Sequence, residues 1–255
     1  MRFAVCVKHS VDESELRIDS EGRPQLDGTP AKLGTFDKNA VEEALRLKTA
    51  HGGDVVAITV GMTEARKSLK EALAMGADRG IHVLAELRAL DPSRTSELLA
   101  AAITKTGPYD LIICSEGSSD TYTGLVPPMI AERLGLPYVG YAKKLDIFDH
   151  GINAERSLEE SFESVESTLP SVVSVVSEIN EPRYPTLIQI MQSSKKPIEE
   201  IRSEQLVTSG QPHPATIISM VAQSPSRKRV IIEGAPNEAA EKLLSVLEKE
   251  GVLSI

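Results

Sequence analysis

Between residues 2 and 134 the chain repeats one pattern four times: a short, continuous apolar run followed by a longer segment with apolar residues at helical spacing. The runs are RFAVCVK (2–8), DVVAITVG (54–61), RGIHVL (79–84) and DLIICSEG (110–117). Continuous runs of this kind belong to strands covered on both faces. The periodic segments lie at 37–50, 63–76, 93–106 and from about Thr123 to Leu134. Asp37, Thr63 and Ser93 stand where N-caps belong, and Gly52, Gly53 and Gly76 where helices stop. Strand–helix alternation requires right-handed crossovers and a parallel sheet with helices on both faces. The expected fold class is therefore α/β, a Rossmann-like doubly wound sheet. Such sheets bind ligands beyond the carboxyl ends of their strands, where the strand order reverses. If the first strand is central and the chain returns to its other side, the first and fourth strands are neighbours. The loops after FAVCVK and LIIC would then share one crevice.

After Pro137 the pattern changes. YVGYAKKLDIF, INAERSLEE and SFESVEST alternate between short turns and read as an antiparallel extension, with SVVSVVSEI (171–179) as a further apolar strand. From about residue 181 regularity fades. NEPRYPTLIQIMQSSKKP, with three prolines and a Lys pair, reads as an extended arm, and residues 185–230 offer little that could bury itself. An amphipathic helix returns at 236–249, with Pro236 near its start and Gly251 just beyond. The expected organisation is a domain over 1–184 and a C-terminal arm and helix over 185–255 that lie on a partner.

Composition narrows the functions. Acids outnumber bases 37 to 28, for a net charge of −9, which disfavours nucleic-acid phosphates as a partner. Aromatic residues make up 4% with no Trp, too few for a base-stacking platform. The two cysteines, Cys6 and Cys114, sit in apolar runs, and no CxxC or His/Cys cluster suggests a metal. The N-terminal apolar run of five residues is too short for a signal sequence, and no run approaches the ~18 apolar residues of a membrane helix. The expectation is a cytoplasmic protein with reduced thiols that does not span a membrane.

The richest stretch is SSDTYTGLVPPMIAERLGLP (118–137). Asp120, Thr121, Thr123 and Gly124 lie between the fourth strand and its helix. A helix start carries unpaired N–H groups and the positive end of the dipole, and so attracts an anion. Gly117 and Gly124 allow close backbone approach, and Ser118, Ser119, Thr121 and Thr123 supply hydroxyls. There is no GxxxxGK[ST] and no lysine of the Walker type, and VKHSVD follows the first strand where a dinucleotide fingerprint would need GxGxxG. Two readings stay open from the residues: a helix merely capped by Thr123 or Asp120, or a phosphate seat. By topology, LGTFD (33–37) and VGMTE (60–64) join the same crevice. Cys6, Phe36 and Val60 could wall an adenine or serve as core. No Ser-His-Asp set and no paired carboxylates appear, so the chain reads as a binder without catalytic residues.

AVEEALRLK (40–48), EALAMGADRGIHV (71–83), DTYTGLVPPMIAERLGLP (120–137) and NEPRYPTLIQIMQSSKKP (180–197) together resemble the β subunits of electron transfer flavoproteins, in the order and spacing of that family. The resemblance implies half of an αβ heterodimer. The α subunit holds the redox FAD near the interface, and the β subunit buries AMP as a structural ligand. By position the nucleotide contacts fall at Cys6, at Gly34, Thr35, Phe36 and Asp37, at Val60, and at Cys114. They continue through Gly117, Ser118, Ser119, Asp120, Thr121, Thr123, Gly124, Leu125 and Val126. Leu187 matches the anchor that inserts into an acyl-CoA dehydrogenase, and the segment beyond it resembles the arm that wraps the α subunit. Electrons would pass from such dehydrogenases, as in fatty acid oxidation, to a quinone oxidoreductase. The sequence departs from its kin in three places. Gly34-Thr35 replaces Asn-Pro, Glu13 stands where some relatives carry a Tyr facing the flavin, and Leu125 replaces the Gln of Thr-Gly-Gln. Bifurcating relatives hold a second FAD in place of AMP and oxidise NADH there, whereas the NEPRYPTL form resembles the simple carriers. A stand-alone adenine-nucleotide sensor of the universal-stress type shares the sheet topology but has no use for a long arm.

Overall fold

The computed structural model describes residues 1–26, 28–86, 91–206, 218–222 and 229–253. Its strands are β1 (Arg2–Cys6), β2 (His9–Val11), β3 (Arg17–Ile18), β4 (Pro24–Gln25), β5 (Ala31–Leu33), β6 (Asp54–Gly61), β7 (Arg79–Leu84), β8 (Leu111–Ser115), β9 (Tyr138–Phe148), β10 (Gly151–Ser157), β11 (Phe162–Thr168), β12 (Ser171–Val175) and β13 (Ile198–Arg202). The helices are α1 (Thr35–His51), α2 (Arg66–Met75), α3 (Pro92–Thr106), α4 (Val126–Leu134), α5 (Leu187–Ser193) and α6 (Pro236–Lys249).

Among the described residues the main sheet runs β11-β10-β9-β12-β8-β1-β6-β7-β13. β1 is flanked by β6 and β8, both parallel to it, so the strand order reverses at β1. The first strand is thus central and the chain does return to its other side, the condition on which the sequence made the first and fourth apolar strands neighbours. This arrangement exists because β1 is apolar on both faces and can be covered on both. Phe3 and Val5 pack into one core layer with Val41, Leu45 and Leu73. Ala4 and Cys6 pack into the other with Leu98, Ile103 and Ile130. β12 inserts between β8 and β9, parallel to both, and β9, β10 and β11 form the antiparallel extension.

Four expectations about helix starts are corrected. α1 begins at Thr35, with Gly34 as a cap residue that makes no side-chain bond, so Asp37 is inside the first turn and is not the N-cap. Its carboxylate is drawn inward by two donors, the Lys8 N–H and the buried Ser115 hydroxyl. Thr63 caps nothing, because a 3₁₀ turn over Thr63–Ala65 precedes α2. α3 is capped by Asp91, which accepts from the Arg94 N–H at 2.6 Å with Pro92 following, and Ser93 is already helical. α4 starts at Val126, three residues after Thr123.

The extended arm is also corrected over its first half. α5 is closed by a capping box between Thr186 and Gln189 and packs on α2. Lys196 Nζ donates to the Leu73 and Ala77 carbonyls at the end of α2, at 2.9 and 2.7 Å. β13 then pairs with β7 in parallel and becomes an edge of the main sheet. The sheet therefore extends past residue 184. Ile198 and Ile201, separated by two glutamates, do not alternate with period two, and this hid the strand. Residues 207–217 and 223–228 of the expected arm lie outside the described residues. α6 forms where expected, and none of its residues is buried. No helix among the described residues is long and apolar enough to cross a membrane.

If β13 is part of the folded sheet, its one fully enclosed side chain must count. Ile201 is 2% exposed, so Ile201→Ala should lower stability by about 2–5 kcal/mol in urea titrations. A loose arm would show no change.

Candidate functional site

The crevice lies where β1, β6 and β8 end. The chain leaves β1 through Lys8, and this residue is held twice. Its backbone N–H donates to Asp37 Oδ2 at 2.7 Å. Its ammonium, on the other side, donates to Asp120 Oδ1 at 2.6 Å, Ser118 Oγ at 3.2 Å and Thr121 Oγ1 at 3.3 Å. Those acceptors lie more than a hundred positions away in sequence and arrive because β8 is hydrogen-bonded alongside β1.

Asp37 is the floor of this arrangement. It is 3% exposed and accepts from the Lys8 N–H and from the Ser115 hydroxyl at the end of β8. Burial pushes its carboxyl up to about 6, against those two hydrogen bonds and the Lys8 charge. Asp120 goes the other way. Burial alone would raise it, but the Lys8 ammonium holds it below the usual carboxylate range. Gly34 is required by contact: a Cβ there would lie 2.6 Å from Asp37 Oδ2. Gly117 is required likewise, since a Cβ would lie 2.8 Å from the ring of Tyr122. Tyr122 itself has φ 42, a left-handed conformation uncommon for a non-glycine residue. It meets Phe36 edge-on, with ring centroids 5.6 Å apart. Gly124, also left-handed with φ 65, turns the loop into α4.

The structure gathers most of the sequence-expected residues here. Gly34, Thr35, Phe36 and Asp37 form the start of α1. Gly117, Ser118, Ser119, Asp120, Thr121, Thr123 and Gly124 form the loop after β8, and Leu125 and Val126 enter α4. Ser118 and Thr121 hydroxyls are 2.9 Å apart, while Ser119 Oγ is enclosed with no partner among the described residues. Val60 is half-buried, next to last in β6. Cys6 and Cys114 follow the paired Val5 and Ile113 on adjacent strands and are buried free thiols. The hydrogen bond to Cys6 and burial push the Cys114 thiol well up, so it is a poor nucleophile. Leu187 is not in the crevice. It stands 80% exposed on α5, beside Tyr184 at 92%.

Neither Thr123 nor Asp120 caps α4, which has no side-chain cap. The helix start is also a poorer anion seat than its dipole suggests. Of its four unpaired positions, Leu125, Val126, Pro127 and Pro128, the two prolines have no N–H to offer. The positive charge at the loop is supplied instead by Lys8, which sequence reasoning passed over along with Tyr122. The signal for Lys8 was present: it directly follows the central strand, at the carboxyl end where ligands bind. Nothing in the sequence marked Tyr122, whose role depends on its backbone conformation. Among the described residues no cluster of three or more His, Cys, Asp or Glu could hold a metal.

The buried Asp37 carboxyl makes stability depend on pH. Its folded value of about 6 is above its ordinary 3.8, so the stabilisation is complete below about pH 4 and is lost as pH rises through 6. Asp37→Asn keeps an acceptor for Lys8 without the titration. The variant should gain about 3 kcal/mol relative to the parent between pH 4 and 7, read from paired urea midpoints. A constant difference across that window would rule out the buried-charge account.

Comparison with known proteins agrees with this architecture. The electron transfer flavoprotein domain matches residues 26–206. The electron transfer flavoprotein subunit beta of Bacillus subtilis is 34% identical over 254 residues, covering 98% of each chain. The protein of the same description from Thermoanaerobacterium thermosaccharolyticum is 32% identical over 264 residues, covering 99% of this chain and all of its own. The acryloyl-CoA reductase electron transfer subunit gamma of Anaerotignum propionicum is 31% identical over 267 residues, covering 99% and 100%. With its reversal at β1, its crevice and these relatives along nearly its whole length, the chain belongs to the electron transfer flavoprotein family, among the β subunits.

Proposed function

We propose that the chain is the β half of an αβ electron transfer flavoprotein, working in the cytoplasm, that takes electrons from acyl-CoA dehydrogenases and passes them to a quinone-linked acceptor. Its crevice holds AMP, and the FAD belongs mainly to the α subunit. The observation that carries this reading is a cation, Lys8, held by Asp120, Ser118 and Thr121 against a glycine- and hydroxyl-lined loop. Such a site holds a phosphate still and makes no bonds. The fit is supported by the orphaned Ser119 hydroxyl and by Gly34 and Gly117, which leave room for Asp37 and for the Tyr122 ring to lie close against the loop backbone. FAD supplies the one-electron chemistry when bound. This chain's residues bind and orient: Lys8, Ser118, Ser119, Thr121 and Thr123 on the phosphate, and Cys6, Phe36 and Val60 along the base.

The sheet domain, which runs on to β13, is the nucleotide-binding unit in this reading, and α5 and α6 supply the contacts with other proteins. Leu187 docks into the dehydrogenase, supported by the exposed apolar group it forms with Tyr184, Ile188 and Met191. α6, amphipathic yet without a buried residue, lies on the α subunit.

Releasing the ligands of the purified αβ complex by heat and weighing them tests the reading. AMP with one FAD per complex is expected. Two FAD would make the complex a bifurcating one, with NADH oxidised in this chain. A chain with neither flavin nor co-purifying partner would be a stand-alone nucleotide sensor. Within the AMP reading, Lys8→Met in the nucleotide-stripped complex should weaken AMP by about 10- to 100-fold by titration calorimetry and leave adenosine unchanged. Equal losses for both ligands would remove Lys8 from the phosphate.

A further inference from the structure

Residues 177–183 cross the outer face of α1 and are fastened there by an unusually complete set of polar contacts. Arg183 and Glu42 form a bidentate pair: Nε donates to Oε2 at 2.7 Å and Nη2 to Oε1 at 2.8 Å. The Arg183 backbone N–H adds a third bond to Oε2 at 3.2 Å. Glu42 is only 6% exposed, so both its oxygens are committed to this one residue in place of water. One turn further along, Asn180 Nδ2 donates to the Asn39 carbonyl and to Glu43 Oε2, each at 3.0 Å. Asn39 Nδ2 answers with bonds to the Ser177 and Asn180 carbonyls at 3.0 and 2.8 Å. Glu43 is shared with Arg46 at 2.9 Å.

Immediately after Arg183 the chain changes character. Tyr184, Leu187, Ile188 and Met191 are all exposed. The stretch between is stiff at both ends, with Pro182 and Pro185 flanking the pinned residue and the capping box of Thr186 and Gln189 closing α5. An exposed apolar side chain on a loose segment would have to be ordered during each docking event. On a pinned segment that ordering is done beforehand. Half-buried ion pairs add little net stability, because desolvation offsets attraction. Position is what a planar two-point fork does supply.

We infer that the Glu42–Arg183 pair positions the Leu187 anchor, so that α1, whose first turn builds the nucleotide crevice, also serves as the mount for the docking segment. Both residues are positioning residues and touch neither cofactor nor substrate. The inference rests on the reading of Leu187 as a docking anchor.

The test uses the intact αβ complex, with a short-chain acyl-CoA dehydrogenase and butyryl-CoA as electron donor, following the bleaching of flavin absorbance. Glu42→Gln is expected to raise the KM for the dehydrogenase about tenfold. Its kcat at saturation, flavin spectrum and nucleotide content should stay as in the parent. Arg183→Lys, which keeps the charge and loses the fork, should fall between the two and guards against a folding defect in the first variant. Leu187→Ala should raise KM as well. A normal KM in both Glu42→Gln and Arg183→Lys, with Leu187→Ala impaired, overturns the positioning role and spares the docking reading. A normal KM in Leu187→Ala overturns the docking reading and this inference with it.

Discussion

The carboxylate of Asp37 sits where three segments must meet, and the architecture around the crevice follows from how it is satisfied. It accepts from the backbone just past β1 and from the hydroxyl that ends β8, while belonging to the first turn of α1. A charged group this enclosed is costly unless its partners are fixed. Its two donors therefore fix the approach of α1 to the sheet, and the close contact of Gly34 with Asp37 follows. With α1 so placed, Lys8 is directed across the gap to Ser118, Asp120 and Thr121, and the loop after β8 is folded against the end of β1. The cleft is thus closed by polar contacts laid over an apolar sheet.

The large features of the fold were legible because they depend on patterns averaged over many residues. Continuous apolar runs separated by periodic segments leave little choice but a parallel sheet with helices on both faces, although the reversal at β1 was only a condition until the strand order was known. Features that depend on one or two atoms were not legible. Asp37 looks like an N-cap in sequence, since nothing local reveals that Ser115, 78 positions away, donates to it. Asp91 and Ser93 compete for one cap, and the Pro92 between them decides for Asp91 by taking the first helical position. In the crevice, loop residues were found by type and spacing, whereas Lys8 entered only through the pairing of β1 with β8. β13 was missed because Ile198 and Ile201 alone carry its apolar signal.

Two sequence stretches that mark the family, AVEEALRLK and NEPRYPTL, prove to be in contact. Glu42 and Glu43 of the first hold Arg183 and Asn180 of the second across 141 and 137 positions. A pair of acids in the middle of a helix reads in sequence as a solvated face. Here Glu42 and Glu43 are both buried, and the helix surface they form is a socket. The nucleotide cleft and the segment that leads into α5 are therefore both fastened to α1, some five turns long, while α5 itself rests on α2.

The two outer strands of the main sheet, β11 and β13, have a bearing on how such a chain survives alone. Each leaves a row of backbone donors and acceptors open, which invites another sheet to join. β11 carries Glu163 and Glu166 on its exposed positions, and β13 carries Glu199 and Glu200. Two copies approaching edge to edge would bring like charges together on a chain already at −9. Acidic borders of this kind make edge-to-edge growth of the sheet unfavourable.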